Sequence, residues 1–206
     1  MLHMPNPMLM VAASGPAGQQ LFLSSGSFIV PAGVSSLSAV CIGRGGDGSF
    51  AGANAPGGGG GALAYLNNIA VTPGETLTVT FNSTSVTILR GSTVLVRANN
   101  ANLSVGGTVG AGTGFRGGDG GTIPYNPGGF FSGVLGGGAG GYTSAGQQGS
   151  ASGAYLNRGG GGSSPFGGGP GANAGTSANA NGAAYGGGGG NDSDANGSIG
   201  GPGVAR

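Results

Sequence analysis

Few side chains in this sequence can do acid–base, nucleophilic or metal chemistry: five carboxylates (Asp47, Glu75, Asp119, Asp192 and Asp194), one thiol (Cys41) and one imidazole (His3). Nucleophilic and general acid–base catalysis need a base held against a reacting group. His3 stands in an arm interrupted by Pro5 and Pro7, so Ser–His–Asp chemistry, histidine metal sites and proton shuttling lack their central residue. Cys41 has no second cysteine to pair with, and its neighbours Ala39, Val40 and Ile42 predict a buried, inert strand position. Asp192-Ser193-Asp194 offers the alternating oxygens of a calcium loop but no distal bidentate glutamate, so it reads as an Asx-rich turn. Lysine is absent, which removes a phosphate-binding Walker loop, and with 55 glycines the pattern GxGxxG arises by chance. The expectation is a protein that is not an enzyme and holds no cofactor and no metal.

Two further features carry shape rather than catalysis. Arg44-Gly45-Gly46-Asp47-Gly48 recurs as Arg116-Gly117-Gly118-Asp119-Gly120, and both read as turns stapled by an Arg or Asp hydrogen bond to neighbouring backbone. The aromatics Phe115, Tyr125, Phe130, Phe131, Tyr142, Tyr155, Phe166 and Tyr185 stand among glycine tracts. Aromatic rings on loops bring large contact area at small rotameric cost, so these eight are the candidate receptor or subunit contacts; each is also a candidate wedge between glycine strands. Phe130 and Phe131 cannot both face inward in an extended segment, which makes that pair the place to expect exposure.

The elements that must position these residues are β-strands. Leu77, Val79 and Phe81 alternate with threonines after the Pro73-Gly74 turn, a period-two pattern with one apolar face. Ser27 to Pro31, Leu37 to Ile42, Ala62 to Val71, Ser85 to Leu89 and Ser92 to Ala98 supply further strands between Gly, Pro and Asn turns. The predicted class is all-β: a small β-sandwich or jelly-roll-like unit with a glycine-rich lobe of polyglycine or polyproline-II-type strands and long loops. The predicted divisions are residues 1–19 as an N-terminal arm and possible attachment segment, 20–104 as the β-sandwich-like domain, and 105–206 as the lobe. Gly57 to Gly61, Gly159 to Gly162 and Gly186 to Gly190 are the tracts suited to threefold extended backbone.

Charged residues make up only 5% of the chain and the formal net charge is +1, so no basic surface is available for nucleic acid or anionic lipid. The apolar patch from Met8 to Ala13 lacks a basic flank, which argues against a signal peptide, and no apolar run is long enough for membrane insertion.

The blocks Ser27 to Val34, Ser36 to Ile42, Gly57 to Tyr65 and Ile69 to Thr76, in this order, resemble the glycine-rich domain of phage tail-fibre and related phage particle proteins. Gly203-Val204-Ala205-Arg206 is similar to the Gly-x-Val-Arg start of that domain's closing strand, without the aliphatic and aromatic residues that usually complete it. More loosely, the interleaving of glycine tracts with aromatic segments is similar to the small fibre-tip adhesins of T-even-like phages. The resemblance implies a structural or receptor-contacting protein of a tailed-phage virion, a tail-fibre or spike-tip component in host attachment, assembled in the host cytoplasm. Its implied partners are other virion proteins, further copies of itself, with a homotrimer favoured, and a host surface glycan or outer-membrane protein. A head or tail decoration protein with no receptor role is the alternative, and an extracellular glycine-rich coat or ice-binding protein a third.

Overall fold

The computed structural model describes residues 18–48, 56–121, 136–149, 186–187 and 200–206. Within them are β1 (Gly26–Ile29), β2 (Ser36–Ile42), β3 (Leu63–Ala70), β4 (Thr76–Phe81), β5 (Ser85–Arg90), β6 (Thr93–Asn99), β7 (Val109–Ala111), β8 (Thr113–Phe115) and β9 (Val204–Ala205), with no helix among the described residues. The six long strands match the segments read from period-two alternation. Leu77 and Val79 are buried while Thr76 and Thr78 are exposed, and Gly74 has the positive φ (83°) that a Pro-Gly turn requires.

The strands form two antiparallel sheets, one in the order β1-β4-β5-β6-β7 and the other β8-β3-β2-β9. Their inner faces enclose one core, to which Leu77, Val79, Val86, Ile88, Val96 and Ala98 contribute from the first sheet and Ala39, Cys41, Ala64 and Ile69 from the second. This is an all-β sandwich. It draws on both sides of the predicted division between residues 104 and 105: β7 pairs with β6, β8 with β3, and β9 with β2.

The second sheet runs directly into glycine. β2 continues as 43–48, β3 is preceded by 57–61, β8 continues as 116–121, and β9 is preceded by 200–203. Beyond the sheet edge the hydrogen bonds repeat every third residue. Gly57 and Gly60 donate to Gly121 and Gly118; Gly58 and Gly61 accept from Gly137 and Gly140; Gly59 and Ala62 accept from Gly46 and Gly43. Around residues 116–120 the same spacing recurs: Gly117 and Gly120 donate to Gly107 and Ser104, while Arg116 and Asp119 accept from Gly146 and Gly149. A backbone with three residues per turn and no internal hydrogen bonds behaves in this way, directing its peptide groups to neighbours on several sides rather than along two edges.

Glycine is required there by contact. A Cβ at Gly60 would lie 2.0 Å from the Gly138 carbonyl oxygen, and one at Gly117 1.8 Å from that of Gly60. The tract Gly57 to Gly61 is therefore the centre of a bundle in which carbonyls seat against Cα atoms, an order obtained without large side chains.

Candidate interaction site

The bundle has two unlike ends. At one, Gly43, Ala62 and Gly107 join the sheets, with Gly43 donating to Ala62 and Gly107 to Gly60. At the other, several of the points where the described chain leaves and returns lie together, while the return at Gly186 is at the sheet end, beside Gly43 and Ile42. Gly57 donates to Gly121, Gly137 to Gly58 and Gly149 to Asp119, and the Gly200 N–H donates to Asp47 Oδ1 at 2.8 Å. The segments 49–55, 122–135 and 188–199 thus each have at least one anchored border at this far end, and so does the start of 150–185.

The two Arg-Gly-Gly-Asp-Gly motifs are structural staples of that end. A spacing of three residues puts both side chains on one face of a threefold strand, so Arg44 Nη2 reaches Asp47 Oδ1 at 2.5 Å and Arg116 likewise pairs with Asp119. Each aspartate also accepts a backbone N–H from an adjoining segment: Asp47 from Gly200, and Asp119 from Gly106 at 2.8 Å. These half-exposed ion pairs add little by themselves. The charge-assisted bonds to backbone tie separate segments together at defined positions.

Of the eight candidate aromatic contacts, Phe115 and Tyr142 are described. Phe115 closes β8 opposite Leu63 and is half-buried. Tyr142 packs against Ile42, Leu63, Ala139 and Val204, with its ring centroid 5.4 Å from that of Tyr65 at a tilt of 58°, and its hydroxyl accepts from Arg206 at 3.4 Å. Tyr142 is thus a wedge between sheet and bundle. Tyr125, Phe130, Phe131, Tyr155, Phe166 and Tyr185 lie outside the described residues, as do His3, Asp192 and Asp194.

Cys41 is fully buried in the sandwich core, and desolvation pushes its thiol up to about 12, against a smaller lowering by the backbone at Ile88. It is held as a neutral small apolar group. Glu75 is held below the ordinary carboxylate range, first by the Thr72 N–H, which donates to Oε2 at 3.0 Å, and then by the Arg90 guanidinium, whose Nε lies 2.5 Å from Oε1. Arg90 also donates to the Ala70 carbonyl at 2.6 Å, so this charged pair braces the β3–β4 turn. Among the described residues no three His, Cys, Asp or Glu side chains gather as a metal site.

A second feature has no counterpart in the sequence reading. A groove of about 790 Å³ opens along the outer edge of β2, with Phe22, Phe28, Leu37, Leu77, Val79 and Ile88 among its walls. Its residues are separated widely along the chain, so no local motif marks it. Leu21, Leu23 and Ile29 are exposed, at 51%, 69% and 65%. No family model matches this chain, and no curated protein matches it.

Proposed function

We propose that this chain is a structural, receptor-contacting component of a tailed-phage virion, at a tail-fibre or spike tip, where it acts in host attachment without catalysis. The observation that supports this reading best is the polarity of the molecule. A side-chain-packed sandwich forms one end, and a backbone-packed glycine bundle gathers the borders of several connecting segments at the other. Such a frame is insensitive to what those connections contain, because its own cohesion uses backbone groups, and recognition residues can therefore vary on it. Its partners in this reading are other virion proteins and a host surface glycan or outer-membrane protein.

Phe130 and Phe131, in the connection between Gly121 and Gly136, are the proposed contact pair. Replacing both with Ser leaves particles assembled and slows adsorption to host cells by on the order of tenfold or more, the effect of removing about 2 kcal/mol from a contact. Adsorption at the wild-type rate by assembled mutant particles contradicts the receptor role, and failure of assembly favours the decoration or cement role.

The same reading makes the protein a homotrimer. Leu21, Leu23, Ile29, Leu103 and Val105 all expose more than half of their surface, and burial between copies removes such surface from water. Light scattering at micromolar concentration checks this; a folded species with the mass of one chain contradicts it.

A further inference from the structure

The first sheet turns a polar face outward. Val79, Ile88 and Val96 pack in the core, as do Val86 and Ala98, so by alternation Thr80, Ser85, Thr87, Arg97 and Asn99 lie on the opposite face. The register sets Thr80, Thr87, Arg97 and Ala111 in one row across four strands, and Ser85 beside Asn99 in the next. Ser85 and Thr87 are buried there and satisfy each other through a hydroxyl–hydroxyl bond of 3.1 Å. Arg97 is not satisfied. Its Nε is buried without a hydrogen-bond partner, alone in this among the side-chain atoms of the described residues.

Every carboxylate side chain among the described residues is already taken: Asp47 pairs with Arg44, Glu75 with Arg90 and Asp119 with Arg116. Arg97 therefore brings a positive charge to this face with no carboxylate of the described residues against it. Its stem is seated on the edge strand β7, where a Cβ at Gly110 would lie 2.6 Å from Arg97 Cδ, 2.7 Å from Cγ and 3.1 Å from Asn99 Oδ1. Asn99 Nδ2 donates to Thr108 Oγ1 at 3.0 Å, and Thr108 and Gly110 are exposed. A guanidinium, a side-chain amide and a hydroxyl thus meet at the surface over β6 and β7.

A buried N–H without an acceptor calls for a partner that the described fold does not supply, and a guanidinium meets carboxylates in a two-pronged geometry. One isolated cation balances one negative charge, which favours a carboxylate over a phosphate carrying two. The two rows hold hydroxyl and amide groups with no aromatic or large apolar side chain, which suits a ring bearing hydroxyls better than a peptide. We propose that this face binds a carboxylate-bearing saccharide, the Arg97 guanidinium pairing with the carboxylate while Asn99 and Thr108 bond ring hydroxyls. Because Nε is covered in the unliganded chain, pairing turns the guanidinium outward and gives Nε–H its acceptor. The site lies on the sandwich, apart from Phe130 and Phe131, and it stands or falls independently of the attachment reading.

The test is NMR on the whole protein, following the Arg97 Nε–Hε correlation, assigned through bonds from the backbone, during titration with methyl glucuronide, methyl glucoside or acetate. Methyl glucuronide shifts it saturably with a Kd of about millimolar order, methyl glucoside leaves it in place, and acetate, lacking the hydroxyls, binds at least about tenfold more weakly. Three results overturn the proposal. Methyl glucuronide leaves the correlation unmoved; acetate binds as tightly, which leaves a bare charge contact such as an acidic side chain of a protein makes; or Asp192→Asn or Asp194→Asn shifts the correlation in the unliganded protein, which pairs Arg97 within its own chain.

Discussion

Glu75 shows how few charges this protein uses and how each is placed. Its carboxylate accepts from the Thr72 N–H and from Arg90, which in turn holds the Ala70 carbonyl, so one ion pair fastens a turn to two strands. A carboxyl whose folded value lies below its unfolded value stabilises the fold above the unfolded value. That stabilisation is lost as pH falls through the folded value. Urea unfolding therefore separates Glu75→Gln from the parent at neutral pH, the variant being less stable, and the two midpoints converge in acid below the ordinary glutamate range of about 4.3. A gap that stays constant between neutral pH and strong acid contradicts this role. The repeated Arg–Asp pairs belong to the same class of residue. Their spacing of three matches the three-residue repeat of the backbone hydrogen bonds around them.

At the scale of elements, two packing rules meet at the end of one sheet. In β2 and β3, side chains alternate between faces and bonds run to two neighbours; 57–61 is all glycine, 43–48 keeps only the Arg44 and Asp47 side chains, and the bonds fan out to several neighbours. Gly60→Ala places a methyl against the Gly138 carbonyl, backbone that has no flexible end to move, and destabilises the fold by about 3 kcal/mol or more. Gly18→Ala, with nothing within 4 Å of the added carbon, stays within about 0.5 kcal/mol of the parent. Thermal or urea unfolding of the two variants checks this, and equal effects contradict backbone packing.

The strands with strong alternation were legible in sequence because Leu77, Val79 and their threonine partners declare a buried face locally. β7 and β8 were not, since three residues give no period; β9 was marked only by the likeness of Gly203–Arg206 to a closing strand, and the edge of β2 that it pairs with lies far away in the chain. The position of Tyr142 was equally hidden: nothing near it signals Tyr65 as its neighbour. The groove beside β2 is assembled from stretches far apart in the chain and could be seen only in the fold.

At the scale of the whole molecule, cohesion and display are assigned to different materials. Apolar side chains hold the sandwich and peptide groups hold the bundle, and in the attachment role we propose the contact residues would stand on the connections bordered by Gly48, Gly121, Gly136 and Gly149. That division suits a particle component whose contact surface changes while its frame does not. The attachment reading is tested most directly by immunogold electron microscopy of intact particles of a tailed phage encoding this chain, with antibody raised against the purified protein. Gold at the free ends of tail fibres or spikes is the predicted result. Gold confined to the head, or particles that bind no antibody and contain none of the chain by mass spectrometry, contradicts it.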